Sequence, residues 1–146
     1  MIEFIDLPMD FDGKRDCLKD WLIRVASSHD MRIKELQYHI VDNDEMLVIN
    51  KSHLDHDFDT DVITFPYGSK RTIKGEVFIN KDFIKKSALS LNVAYQYEFL
   101  RILAHGLLHL IGFDDTSTEL KEEMSRQEDN ALSLQTFFNP KFHVEQ

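Results

Sequence analysis

The sequence is poor in cysteine, glycine and proline. Cys17 is the single cysteine among 146 residues, so neither an intrachain disulfide nor a cysteine-type zinc site can form. Its neighbours Leu18, Trp21 and Leu22 favour a buried, inert thiol on a helix. With five glycines and three prolines, no stretch resembles a flexible or proline-rich linker. We therefore expect residues 1–146 to form one domain, which is long enough to bury a sizeable core.

Positive charge is also scarce, because 17 lysines and arginines face 26 acidic residues and leave a formal net charge of −9. Affinity for nucleic acid or anionic lipid depends on Lys and Arg, so this composition argues against non-specific binding of either. Residues 1–6 lack the basic start of a signal peptide, and no apolar run reaches membrane-spanning length. We expect a cytoplasmic protein without a membrane partner. The residues that could contact phosphates are Lys70, Arg71, Lys74, Lys85 and Lys86.

Hydrophobic periodicity predicts about four short strands and four to five helices. The predicted strands are 2–5, 35–41, 60–66 and 72–80. The predicted helices run over 14–30, 46–53, 81–89, 92–111 and 116–136. The capping residues expected for three of these helices are Asp42 with Glu45, Ser90 or Asn92, and Thr116 with Glu119. This order predicts an α+β domain with a mixed sheet of about four strands, packed around the apolar helix 92–111.

The end of this central helix and the turn after it read HGLLHLIGFDD. His105 and His109 are four residues apart, so both imidazoles project from one helix face about one turn apart. Gly112 predicts a left-handed helix end, after which a turn can bring back the carboxylate of Asp115 or, less favourably, Asp114. Three such ligands leave one position of a tetrahedral Zn²⁺ open for water, as in catalytic zinc sites. The alternative is a pair of ordinary core histidines.

Other acidic residues and histidines are weaker metal candidates. Glu98 lies on the same helical stripe as His105, with Arg101 between them, but it is about 10 Å away along the axis. That distance is too long for direct binding to the same ion. A polar loop also contains possible ligands, although their irregular spacing is typical of solvated surface. These loop residues are His53, Asp55, His56, Asp57 and Asp59.

The histidine stretch resembles the signature of the YbeY family of zinc-dependent endoribonucleases, His-Gly-x-Leu-His-Leu-x-Gly-Tyr-Asp-His. His105 and His109 match the first two of the three histidine ligands in that signature. Phe113 stands for its tyrosine, and Asp115 stands for its third histidine. The departure at Asp115 replaces an imidazole by a carboxylate, which lowers the net charge of the metal centre by one unit.

The resemblance extends upstream of the histidines. Residues 60–66, TDVITFP, are similar to the family's TDVLSFP, residues 49–50 to its Leu-Asn, and residues 75–77 to its Gly-Asp-Ile. The order and spacing of these motifs match from about residue 35 to residue 135. The family's functionally important arginine falls on Leu54, and Lys51, one turn upstream on the predicted helix, is the candidate to replace it.

The resemblance implies a metal-dependent single-strand endoribonuclease acting in ribosomal RNA maturation, with processing of 16S rRNA as its role. The implied cofactor is one Zn²⁺ per chain, bound by His105, His109 and Asp115, and the implied partner is ribosomal RNA or the small ribosomal subunit. Since a carboxylate favours harder ions, Mn²⁺ or Co²⁺ are possible besides zinc. The metal is expected to lower the pKa of its bound water and to polarise a phosphoryl oxygen.

No general base is evident in the sequence. Asp61, Glu76 and Asp114 are candidates only for hydrogen-bond support of a ligand imidazole, and an ordinary turn or strand-end role is the alternative. The same histidine spacing also occurs in zinc endopeptidases, but those enzymes carry Glu directly after the first histidine, where this chain has Gly106. A third possibility is a non-catalytic, ribosome-associated binding factor with a structural metal.

Overall fold

A computed structural model describes residues 1–54 and 61–138, with only the backbone of residues 53 and 54. Within these ranges, four strands form one mixed sheet in the order β1-β2-β4-β3. The strands are β1 (Ile2–Ile5), β2 (Arg32–Val41), β3 (Val62–Pro66) and β4 (Thr72–Asn80). The first, second and fourth strands are parallel neighbours, and β3 pairs antiparallel with β4 at one edge. The predicted mixed sheet is confirmed.

The described part of the chain contains five α-helices. They are α1 (Arg15–Ser28), α2 (Asn43–Leu54), α3 (Lys81–Leu91), α4 (Tyr95–Ile111) and α5 (Thr118–Ser133). Of these, α1, α2 and α4 pack against the sheet. The number and the order of the helices confirm the predicted α+β class. None of the helices in the described ranges is both long and apolar enough for a membrane span.

The main core lies between one face of the sheet and the helices α1 and α4. On β2, Leu36, Tyr38 and Ile40 are buried and alternate with more exposed residues, because successive side chains point to opposite faces of a sheet. The hydroxyl group of Tyr38 donates a hydrogen bond to the carbonyl oxygen of Leu103 at 2.9 Å, which ties α4 to the middle of the sheet. The central position of this helix follows from its apolar composition. A smaller cluster on the opposite face packs α2 against the sheet.

Glycine allows α4 to approach the sheet closely at the level of the two histidines. A Cβ atom on Gly106 would lie 2.6 Å from Cγ1 of Val77, and one on Gly75 would lie 3.1 Å from Cδ2 of Leu110. Both distances are shorter than ordinary van der Waals contact. The absence of side chains at these two positions therefore sets the distance between the histidine helix and β4.

Several local predictions differ from the structure. Cys17 is exposed, because it lies at the edge of the apolar stripe of α1 that is centred on Leu22 and Val25. Asn92 does not begin α4; it adopts a left-handed conformation with φ 55° and ends α3, as asparagine tolerates. The residue before α4 is Ala94, which offers no side-chain cap.

The last helix also begins and ends differently from the prediction. Ser117, rather than Thr116, accepts the capping hydrogen bond from the amide of Leu120 at 3.1 Å. The helix ends at Ser133, a few residues before the predicted end. The weaker metal candidates in the polar loop, residues 55–59, lie outside the described residues, as do the side chains of residues 53 and 54.

Candidate metal centre

The turn after α4 brings a carboxylate back toward the helix. Gly112 has φ 126°, which L-residues rarely adopt, and it ends the helix. The amides of Gly112 and Phe113 both donate to the carbonyl oxygen of Leu108, at 3.1 and 3.0 Å. The carboxylate of Asp114 then accepts from the amide of Asp115 at 2.7 Å. This tight turn places Asp115 beside the last turns of the helix, as the spacing predicts.

Three donor atoms meet at this point. The Nε2 atoms of His105 and His109 are 3.0 Å apart, and Oδ2 of Asp115 lies 3.5 Å from the first and 3.6 Å from the second. A circle through three points with these separations has a radius of about 2.0 Å, which is the usual length of Zn–N and Zn–O bonds. One ligand atom from each of His105, His109 and Asp115 thus lies within 4.8 Å of the other two, as a metal site requires. The group can therefore hold one divalent ion.

The exposure of the three side chains increases from His105, on the inner side of the group, to Asp115, on its outer side. The side chain of His105 is 11% exposed, that of His109 22% and that of Asp115 36%. The two rings are nearly perpendicular, with their centroids 4.5 Å apart. Solvent or a substrate thus reaches the group from the side of Asp115 and His109.

A buried chain of ionic hydrogen bonds supports the inner side. His105 shares a hydrogen bond of 2.5 Å between its Nδ1 and Oε2 of Glu128. The guanidinium group of Arg101 donates through Nη1 to Oε1 of Glu128 at 2.8 Å. Its Nε and Nη2 atoms donate to the two oxygens of Glu98 at 2.8 and 2.6 Å, and Ser87 donates to Glu98 at 2.6 Å. We call these residues the ionic chain; it joins α3, α4 and α5 and ends at His105.

The contacts of the ionic chain raise the pKa values of His105 and Arg101 and lower the pKa of Glu128. Burial lowers the pKa of His105, but the hydrogen bond and charge of Glu128, together with the charges of Asp61 and Asp115, raise it by more, so that the net pKa is above its ordinary value. Burial raises the pKa of Glu128, whereas the hydrogen bond to His105 and the contact with Arg101 lower it by more. The hydrogen bond to Glu98 is the largest cause of the raised pKa of Arg101. Glu128 and Arg101 therefore both stay ionised near neutral pH.

The three weaker candidates from the sequence lie in different places. Asp114 supports the backbone of the turn, and Asp61 immediately precedes β3 and acts on His105 through its charge. Glu76 faces the opposite side of the sheet from α4, because its neighbour Val77 is the residue that meets the histidine helix. Its carboxylate accepts a hydrogen bond from the hydroxyl group of Tyr67 at 3.1 Å.

Sequence reasoning missed Glu128, which lies 23 residues beyond His105. A signal for it was present, since Glu128 falls midway between Met124 and Leu132 on the buried stripe of α5. A carboxylate on an otherwise apolar helix face requires a buried partner. Such a pattern predicts an ionic contact, although it does not identify which residue makes it.

The basic residues do not form one patch. Lys70, Arg71 and Lys74 lie on or beside the turn before β4, and Nζ of Lys74 is 3.9 Å from the carboxylate of Glu35. Lys85 instead lies on α3, where it lines a cavity of about 600 Å³ with Asp6 and Asp10. Lys74 lies six residues before the end of β4 at Asn80, which is about 20 Å along the strand, and Lys85 follows that end on α3. The surface near the metal centre therefore carries at most part of the predicted cations.

Comparisons with known proteins agree with the motif resemblance. Residues 8–135 match the family described as Endoribonuclease YbeY. The protein of that name from Cytophaga hutchinsonii is 40% identical over 121 residues, which cover 82% of this chain and 85% of that protein. The one from Flavobacterium johnsoniae is 35% identical over 127 residues, 87% of this chain and 86% of that protein.

A solved structure shares the fold. The solution structure of TM1509 from Thermotoga maritima aligns with a TM-score of 0.62 over 91% of this chain and 90% of that one, at 24% sequence identity. At this identity the likeness concerns the fold alone. The matched range and the identities to the curated relatives together establish that the chain belongs to the YbeY family.

Proposed function

We propose that this protein is a metal-dependent endoribonuclease that cleaves single-stranded ribosomal RNA in the cytoplasm, during maturation of the 16S rRNA of the small subunit. The observation that carries the proposal is the meeting of His105, His109 and Asp115 with metal-binding separations, in a family whose curated members are named endoribonucleases. In this proposal residues 1–146 act as one metal-hydrolase domain.

The ligands in this proposal are Nε2 of His105, Nε2 of His109 and Oδ2 of Asp115. Zinc is the first choice, and Mn²⁺ or Co²⁺ are alternatives because one of the ligands is a carboxylate. When bound, the ion supplies Lewis acidity toward the scissile phosphodiester and toward the attacking water. Asp115 adds a negative charge on the exposed side of the site, where substrate enters, and Asp61 adds another near His105.

The peptidase alternative lacks its catalytic carboxylate. The residue after His105 is Gly106, and it packs so closely against Val77 that even a Cβ atom would lie 2.6 Å from that side chain. A glutamate at this position would point into the sheet rather than toward a peptide substrate. The binding-factor alternative predicts metal binding without cleavage, and the experiment below separates it from the proposal.

The test is metal content by plasma mass spectrometry combined with cleavage of a 16S rRNA precursor fragment. We expect one metal ion per chain in the wild-type protein, and loss of both metal and cleavage in His109→Ala and Asp115→Ala. Glu122→Ala is the control, since it removes an exposed carboxylate of α5. Removal of the ion by a chelator should abolish cleavage, and added Zn²⁺ should restore it.

Two outcomes contradict the proposal. A metal-loaded protein that binds ribosomes but cleaves no RNA would be a binding factor. A protein that binds no metal would show that both histidines are ordinary core residues.

Lys51→Ala is assayed in the same series, because the exposed Lys51 on α2 is the candidate phosphate contact in place of the family's arginine. Full cleavage by this variant would exclude that role for Lys51.

A further inference from the structure

We infer that Glu128 is a positioning residue that sets the tautomer and the ring orientation of His105, and that Arg101 and Glu98 hold Glu128 in place for this purpose. The inference rests on the proposed metal centre. Nδ1 of His105 and Oε2 of Glu128 share a hydrogen bond of 2.5 Å. An ionised carboxylate can only accept, so Nδ1 must carry the proton and donate it.

The position of this proton decides what the other ring nitrogen can do. In the neutral imidazole of His105, a proton on Nδ1 leaves a lone pair on Nε2, the atom that lies 3.0 Å from His109 and 3.5 Å from Asp115. The opposite tautomer would point an N–H group at the other donor atoms and could not bind an ion. Histidine ligands of metals commonly donate their second nitrogen to a carboxylate, and this contact also makes the ligand more basic.

Glu128 would not fix the ring if it were itself free to rotate. Its second oxygen accepts from Arg101, whose guanidinium group is held on its other edge by both oxygens of Glu98. The hydroxyl group of Ser87 occupies a further site on Glu98. Glu98 is 1% exposed and Glu128 is 4% exposed, so water does not compete for these bonds. The orientation of one imidazole is thus determined by groups on three helices.

The charges of the ionic chain are consistent with this role. Two carboxylates and one guanidinium group leave one net negative charge, and it lies behind the imidazole rather than in contact with the metal position. Such a charge favours the Nδ1–H form of His105 and attracts a cation to its other side. A buried ion pair is in general weak evidence for a stabilising role, so the orientation of His105 explains these contacts better.

Glu128→Gln separates positioning from packing, because the two side chains have the same shape. The amide oxygen of glutamine can accept either from Arg101 or from His105, but its NH₂ group must then face the other donor. If the oxygen stays with Arg101, the NH₂ group donates to Nδ1 and moves the ring proton to Nε2. We therefore expect zinc affinity to fall by about 10- to 100-fold while the fold is retained.

The experiment is ¹⁵N NMR of the histidine rings in metal-free protein at alkaline pH, with zinc affinity measured by chelator competition. We expect the Nδ1–H tautomer for His105 in the wild type and a shift toward Nε2–H in Glu128→Gln. Glu122→Gln is the matched control on the exposed face of α5 and should change neither result. Glu128→Asp keeps the charge and should recover part of the affinity.

An Nε2–H tautomer in the wild type, or wild-type zinc affinity in a folded Glu128→Gln protein, would overturn the inference. If Glu128→Gln does not fold, Arg101→Lys provides the second test, since a lysine cannot hold both glutamates in the same planar geometry. Failure of the zinc-loaded wild type to cleave RNA would instead refute the proposed function and leave the role of Glu128 standing.

Discussion

The two imidazoles of the candidate metal centre lie one helical turn apart, yet their surroundings differ. His105 is buried, and its second nitrogen is bonded to Glu128 and through it to Arg101. His109 is more exposed, and among the described residues the polar contacts of its ring are with His105 and Asp115. The protein therefore orients the inner imidazole before any ion is bound, whereas the outer ligands depend on the helix end and on the ion.

The inner and the outer sides of the metal centre are held in place in different ways. The inner side depends on tertiary packing, because its supporting residues come from α3, α4 and α5. The outer side depends on local chain geometry, because Gly112 and Asp114 hold the turn that presents Asp115. Substitutions on the two sides should consequently affect metal binding and folding stability in different proportions.

The largest expected effect is on the ligands themselves. His105→Ala and His109→Ala each remove one of three donors, so both should lose zinc. In the metal-free protein only His105→Ala should be destabilised, by about 1–3 kcal/mol, because it leaves the buried Glu128 with an unsatisfied oxygen. The stability of His109→Ala should change by less than about 0.5 kcal/mol. Urea unfolding of the metal-free variants measures this difference. Equal stabilities of the two variants would contradict the expected difference between the two histidines.

A smaller effect is expected from Gly112→Ala, which acts on the outer side alone. The positive φ of 126° strains an alanine by about 1–3 kcal/mol and displaces the turn that carries Asp115. We expect weaker zinc binding with an unchanged His105 tautomer. Gly13→Ala is the matched control, because Gly13 has φ 77° and open space around it in the loop before α1. If both variants weakened zinc binding equally, the effect would reflect general instability.

The smallest expected effect concerns Asp114. Its carboxylate accepts hydrogen bonds from the amide of Asp115 and from the hydroxyl group of Thr116. Asp114→Ala should lower zinc affinity by about two- to tenfold, the range expected for loss of the one hydrogen bond that holds Asp115, at 2.7 Å. Asp114→Asn keeps an acceptor at the same place and should bind zinc almost as well as the wild type. Isothermal titration with zinc can resolve this difference, and equal losses in both variants would indicate a role for the charge instead.

Features that follow from local geometry could be predicted from the sequence. The helical repeat places His105 and His109 on one face, and Gly112 allows the tight turn that brings Asp115 back to them. The alternation of Leu36, Tyr38 and Ile40 along β2 is likewise a local pattern, and these three residues face the core. In each case the determining residues are close together in the chain.

Features that depend on distant partners could not be predicted in the same way. Glu128 is a buried acid on α5, and only the packing of that helix against α4 shows that it meets His105. Asn92 and Ser117 illustrate a second limit, since several neighbouring residues can cap a helix and the tertiary path of the chain selects one. Cys17 illustrates a third limit, because the edge of an apolar stripe does not reveal which side becomes solvent-exposed.

The close approach of Gly106 to Val77 also limits how a binding site in this fold can change its size. At Gly106 the histidine helix already lies so close to the side chain of Val77 that an added Cβ atom would be 2.6 Å from it, and Val77 is fully buried. Enlarging position 106 would push the helix away from β4 and misplace two ligands together. Variation in substrate preference should therefore arise in the turn after α4 and in the neighbouring loops, while the distance between α4 and the sheet stays the same.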